Sequence, residues 1–218
     1  MKSLRTFSLI LLSVFLANCK KNEDTKYHLQ GRVYNGRTGN PLSDVFVEVE
    51  QQILDGNSFS AVYVSAASGR TNGEGSYDLE WDRENLVEVR VNADKGQFIP
   101  RTLQLDASSF EAGKVISQNI ELFPEAFIKI AIQKNASLTN NASFNIRFEN
   151  ANFDCFCCDN NWESFTTATP DTSKTCRVYG DTWLKYRYEI IKSSGQDELV
   201  RDSIYCPSTI QTNVSIEW

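Results

Sequence analysis

Apolar and polar residues alternate with a period of two through most of the chain beyond residue 26. Val45, Val47 and Val49 fall on one side of an extended segment, with Phe46, Glu48 and Glu50 on the other. Val87, Val89 and Val91 alternate in the same way against Glu88 and Arg90. No comparable window repeats every 3.6 residues, so the pattern predicts strands and no helices. Seven strands are expected in the first half, near 28–34, 45–51, 59–66, 76–81, 86–93, 99–105 and 115–123. Their spacing is that of a β-sandwich. Pro124 breaks the pattern, because proline favours strand edges and linkers. A second series follows in Phe127–Ile132, Phe144/Ile146/Phe148, Leu184/Tyr186/Tyr188/Ile190 and Ile210/Thr212/Val214/Ile216/Trp218. The expected fold class is all-β: two antiparallel β-sandwiches in series, spanning 27–123 and 124–218.

The first residues follow another rule. Lys2 and Arg5 form a short basic start, and Phe7 to Ala17 is apolar except for Ser8 and Ser13. That stretch is too short to span a bilayer, which takes about 20 residues as a helix, and it has the length of a signal-peptide core. It runs into Leu16-Ala17-Asn18-Cys19, followed by Lys20-Lys21-Asn22-Glu23-Asp24. This resembles a bacterial lipoprotein lipobox, with Asn18 where the pattern has Gly, Ala or Ser. The charged run resembles the export signal of surface lipoproteins in Bacteroidota-type bacteria. The resemblance implies a signal peptide over 1–18, a palmitate-carrying Cys19, a tether over 19–26, and a lipid anchor in the outer membrane facing the cell surface.

The turns of the first half carry a second resemblance. Gly31-Arg32-Val33, Thr38-Gly39-Asn40-Pro41-Leu42, Val45 to Val49, and Thr71-Asn72-Gly73-Glu74-Gly75-Ser76-Tyr77-Asp78-Leu79 are similar to the carboxypeptidase regulatory-like domain. Asn72 stands where that family usually has Asp. The likeness covers residues 27–123 and implies a transthyretin-like, Ig-like seven-stranded sandwich acting as a non-catalytic stabiliser or spacer. Asn72-Gly73 is expected to supply the positive φ angles of a tight turn.

Charge and rare residues then narrow the function. The 218 residues carry 22 Lys and Arg against 28 Asp and Glu, a net charge of −6. Nucleic acid is excluded as a partner, since phosphate backbones demand a basic surface. His28 is the single histidine, a solvated side chain by its place at the tether, which leaves imidazole-based catalysis without a second group. No enzyme activity and no cofactor are expected.

Five cysteines lie in the second half: Cys155, Cys157, Cys158, Cys176 and Cys206. In an exported chain they read as disulfide candidates. The favoured scheme ties two of Cys155, Cys157 and Cys158 to Cys176 and Cys206, with one thiol left over. The cluster is dense enough to ligate zinc, but lacks a second Cys-x-x-Cys pair. Asn72, Glu74 and Asp78 lack the full spacing of a calcium site, so no metal is expected. Trp162 and Phe165 stand in a segment rich in Asp, Asn and Thr, where a rigid scaffold can present them to a glycan or a protein partner. The function these readings favour is a structural or interaction subunit of an outer-membrane assembly, contacting another outer-membrane protein. The alternative is a glycan-binding surface lipoprotein.

Overall fold

The computed structural model describes residues 26–55, 58–59, 61–138, 140–149, 160–195 and 197–218. The expected signal peptide, Cys19 with nearly all of the tether, and Cys155, Cys157 and Cys158 lie outside the described residues. Apart from one 3-10 turn at Ala107–Ser109, the described elements are all strands. In chain order they are β1 (Lys26–Asn35), β2 (Phe46–Asp55), β3 (Ser58–Phe59), β4 (Val64–Arg70), β5 (Ser76–Asp82), β6 (Leu86–Asp94), β7 (Phe98–Ile99) and β8 (Arg101–Leu105). There follow β9 (Val115–Ser117), β10 (Ile120–Gln133), β11 (Asn141–Phe148), β12 (Glu163–Thr166), β13 (Thr172–Tyr179), β14 (Thr182–Lys192), β15 (Glu198–Cys206) and β16 (Gln211–Glu217).

These strands build the expected all-β sandwich fold around two cores. In the first, β1 lies between β5 on one edge and β9 then β10 on the other. The facing sheet runs β4-β2-β6-β8, with β3 extending β2. Leu29, Val33, Val47, Val49, Val89 and Val91 are fully buried between the layers. Each such side chain is worth about 1.5–3 kcal/mol against exposure. In the second sandwich β10 lies between β13 and β16, and the facing sheet runs β12-β11-β14-β15. Ile128, Ile130, Phe144, Ile146 and Leu184 fill that core.

Two expectations need correction. The sheets are not wholly antiparallel: β1 pairs parallel with β9 and β10, and β10 with β16. These partners are far apart in sequence, so no hairpin dictates their direction. The strand expected at 59–66 lies at Val64–Arg70 instead. Val62 and Val64 are exposed, while Ala66 and Ala67 pack against the core.

Pro124 separates the cores without being a linker. β10 is one continuous strand of 14 residues, and its even-numbered side chains stay buried from Ile120 to Ile132. The strand leaves β1 at Leu122 and gains β13 at Glu125 and β16 at Phe127. Proline thus falls where the partners change, and there only the short β7 pairs with it on that edge. β10 runs through a seven-stranded sheet common to both halves, and both remaining sheets pack on the face of β10 that carries its even residues.

The turn residues have specific duties. Gly31 sits where β1 passes from β9 to β10, and an added Cβ would come 1.8 Å from the Gln118 carbonyl oxygen. The Tyr77 hydroxyl donates to the same oxygen at 2.6 Å. Positive φ falls on Gly75, at 72°, and not on Asn72 or Gly73. Asn72 instead accepts on Oδ1 from the Glu74 and Ser76 amides, at 3.0 and 2.9 Å, an Asx turn that leaves the φ excursion to the next glycine.

Candidate functional site

The outer face of β12-β11-β14-β15 gathers the aromatic and cationic groups of the second half. Antiparallel register puts Arg147 of β11 opposite Arg187 of β14, and Arg187 opposite Arg201 of β15. Trp162 stands one position beyond the last paired residue of β12, Glu163 opposite Ile146, so it meets Arg147 in the same row. The guanidinium carbons of Arg147 and Arg187 lie 5.2 and 5.1 Å from the Trp162 ring centroid. That is the geometry of a cation–π contact from each, with Trp162 still 42% exposed.

Further along the face, Trp183 and Tyr205 oppose each other across β14 and β15 and meet edge to face at 5.7 Å. Both are exposed. Among the described residues, the strand positions of this face carry Arg147, Lys185, Arg187, Arg201 and Glu189, with Glu149 just past the end of β11.

The polar groups here are incompletely matched. Nε of Arg147, Nε of Arg187 and Oδ1 of Asn160 are shielded from solvent with no hydrogen-bond partner among the described residues. Arg187 Nε lies 3.7 Å from Glu149 Oε1, an ion pair too long for a hydrogen bond. Several groups lining the open cleft of about 810 Å³ beside β1 and β5 are engaged within the protein. Its Asn72 holds two amides, Asn119 accepts from the Arg32 amide at 3.0 Å, and Arg70 pairs with Asp44 at 3.1 Å.

The sequence-predicted residues separate here. Trp162 lies on this face, but Phe165 does not: it is cross-strand from Phe144, 6% exposed, and part of the second core. Period-two geometry sends 162 outward and 165 inward, so the two cannot share a contact surface. Trp218 is core too, its ring stacked 5.9 Å from Phe144. Cys176 is disulfide-bonded, with its partner outside the described residues. Cys206, expected in a bridge, is free and buried at the end of β15, where burial raises its thiol pKa. His28 is not simply solvated. Nε2 is bonded to the Asp78 carboxylate, and Nδ1 lies 3.8 Å from Glu80 Oε1. Among the described residues no three His, Cys, Asp or Glu side chains are grouped to hold a metal. Sequence reasoning missed Trp183, Tyr205 and the arginine row, for which register was needed.

No protein-family model matches the chain, and no curated protein matches it. Solved structures give remote likenesses. The TIE protein of Bacillus anthracis is 13% identical over 88% of this chain and 34% of its own length, with a TM-score of 0.37. The minor pilin GBS52 of Streptococcus agalactiae is 10% identical over 88% and 94%, with a TM-score of 0.34. The shaft pilin spaA of Lactobacillus rhamnosus GG is 10% identical over 88% and 98%, with a TM-score of 0.31. The chain thus spans about a third of the TIE protein's length.

Proposed function

We propose that this chain is a non-catalytic surface lipoprotein, anchored to the outer membrane through acylated Cys19. In this reading the tether leads into a carboxypeptidase regulatory-like spacer, and the second sandwich carries the contact surface of an outer-membrane assembly. The observation that supports it most is the shared strand β10. A spacer is useful when it fixes the attitude of what it carries, and a strand common to both cores does so without a hinge.

Contacts around that strand reinforce the same reading. Arg37 donates from Nε to the Gly180 carbonyl at 3.3 Å. Arg177 of β13 donates to Glu125 of β10 at 2.6 Å and to the Phe98 carbonyl of β7 at 3.1 Å. The test is to label cells with a palmitate analogue and purify the tagged full-length chain from gently solubilised membranes. Label lost on Cys19→Ala, with a stoichiometric outer-membrane protein retained, is the expected result. An unlabelled chain, or one recovered alone where a known complex survives, would overturn it.

A second reading, glycan binding at the surface, is favoured by one specific observation. Trp162 is exposed on a sheet face, within cation–π reach of Arg147 and Arg187.

A further inference from the structure

We infer that the end of the first sandwich where the chain enters rests on the lipid surface, seated through Leu54, Val62, Val64, Val87 and Val115. This rests on the lipoprotein reading and adds to the acyl anchor a second, non-covalent contact that sets how the molecule stands. Three observations carry it.

The first is where the exposed apolar side chains fall. Among the described residues of the first sandwich, these five are the large apolar side chains that remain exposed, and register gathers them at one end. Ile53 pairs with Leu86, which places Leu54 and the Val87 bulge together, and Val64 pairs with Gln51 close by. Val115 lies opposite His28, two residues into β1. The Tyr27 hydroxyl donates to the Glu84 carbonyl at 2.9 Å, and the Leu54 amide to the next carbonyl, Asn85, at 2.9 Å. The apolar end is therefore the end at which Lys26 enters. The opposite end exposes turn residues instead, Thr38 to Pro41 and Asn72 to Glu74. Exposed apolar groups collected at one place mark a contact surface.

The second is the chain that leads there. Cys19 precedes Lys26 by seven residues, which fully extended reach about 25 Å at most. Acyl chains on Cys19 thus hold this end of the sandwich beside the bilayer, while the far end of β1 is about 30 Å further on. A contact too weak to recruit the protein from solution still forms once a tether of that length keeps the two surfaces together.

The third is charge and direction. Lys26 pairs with Glu80 and Lys114 with Glu111, each at 3.8 Å, and the turn Asp82-Arg83-Glu84 carries both signs. A surface of that kind suits zwitterionic headgroups, with the valines and Leu54 at the boundary between headgroups and acyl chains. β10 runs parallel to β1 from Val33 onward, so the second sandwich lies away from the entry end. From Lys26 along β1 and on to Gln133 along β10 is about 65 Å. Seating this end on lipid holds the second sandwich out from the membrane.

The experiment takes the full-length chain, purified from its membranes, into phosphatidylcholine vesicles at high dilution in lipid. Hydroxyl-radical footprinting then reads water access side chain by side chain, normalised to the chain unfolded in urea. Leu138 and Leu199, exposed in the second sandwich, are the references. Leu54, Val64 and Val87 are expected to be labelled about fivefold less than these references. Leu54→Ser with Val87→Thr, two exposed positions, is expected to return Val62, Val64 and Val115 towards the reference level with no change in the thermal midpoint. Reference-level labelling of the unaltered chain, or no response to the double substitution, would overturn the inference. Protection that grows with the density of chains on the vesicle would also overturn it, by assigning the patch to a second copy. The mass of the N-terminal peptide reads acylation on the same sample. An acylated chain with an unprotected patch sinks this inference and leaves the lipoprotein reading standing, whereas an unacylated chain sinks both.

Discussion

Phe123 and Tyr179 meet edge to face at 5.3 Å, one from the shared strand and the other from the end of β13. Arg37, from the loop after β1, caps both, its guanidinium carbon 5.2 Å from the Phe123 ring and 6.0 Å from that of Tyr179. The three residues come from both sandwiches, so their coupling measures the junction. Arg37→Met and Tyr179→Leu should each cost about 1 kcal/mol, and a double-mutant cycle in denaturant should return a coupling of about 0.5–1 kcal/mol. A coupling of zero would mean the halves touch here without supporting one another.

Gly31 and Gly73 both belong to motifs of the first sandwich, yet they should respond oppositely to alanine. A Cβ at Gly31 meets the backbone of Gln118, in the link between β9 and β10, whereas one at Gly73 meets nothing within 4 Å. Gly31→Ala is expected to cost about 3 kcal/mol or more by forcing β9 and β10 away from β1. Gly73→Ala should change stability by less than about 0.5 kcal/mol. Thermal melts of the two variants decide the matter.

Cys206 is fully buried and its thiol pKa is raised by burial. The native chain should therefore resist iodoacetamide at that residue at pH 8, and react there only when unfolded. Peptide mapping by mass spectrometry reads the result residue by residue. Rapid native alkylation of Cys206 would show that the end of β15 opens readily.

Alkaline pH should destabilise the fold through tyrosines whose pKa is raised, Tyr186 and Tyr77 above all, with Tyr34 and Tyr188 raised as well. Burial pushes Tyr186 up to about 12, helped by its hydrogen bond to Asp202, and raises Tyr77 as well. In the unfolded chain both titrate near 10. Below that pH both states hold the proton and nothing changes; above it the unfolded state loses protons first, so stability falls as pH rises from about 10 through 12. Tyr186→Phe should flatten this slope in denaturant titrations taken between those values. An unchanged slope would place the dependence elsewhere.

The strands legible in the sequence are those with a fully buried side, such as β2 with Val47 and Val49 or β11 with Phe144, Ile146 and Phe148. β13 and β15 were illegible for a physical reason. β13 buries only Cys176 and Val178, and β15 only Cys206, because each lies at a sheet edge. Phe165 was misread because a lone apolar residue in a polar segment has no period, and only pairing with Phe144 reveals its side. The arginine row was invisible because Arg147, Arg187 and Arg201 are 40 and 14 residues apart and become neighbours only through register. Trp162 was findable from its polar surroundings alone.

The unbroken alternation of β10 makes the two halves share a phase. Leu122 belongs to the first core and Ala126 to the second, on the same side of one strand. One residue inserted between them would turn Ile128, Ile130 and Ile132 outward together while leaving the first sandwich intact. Two would bring them back. The joint between the sandwiches therefore has a parity that a flexible linker lacks, and its length can change only in even steps.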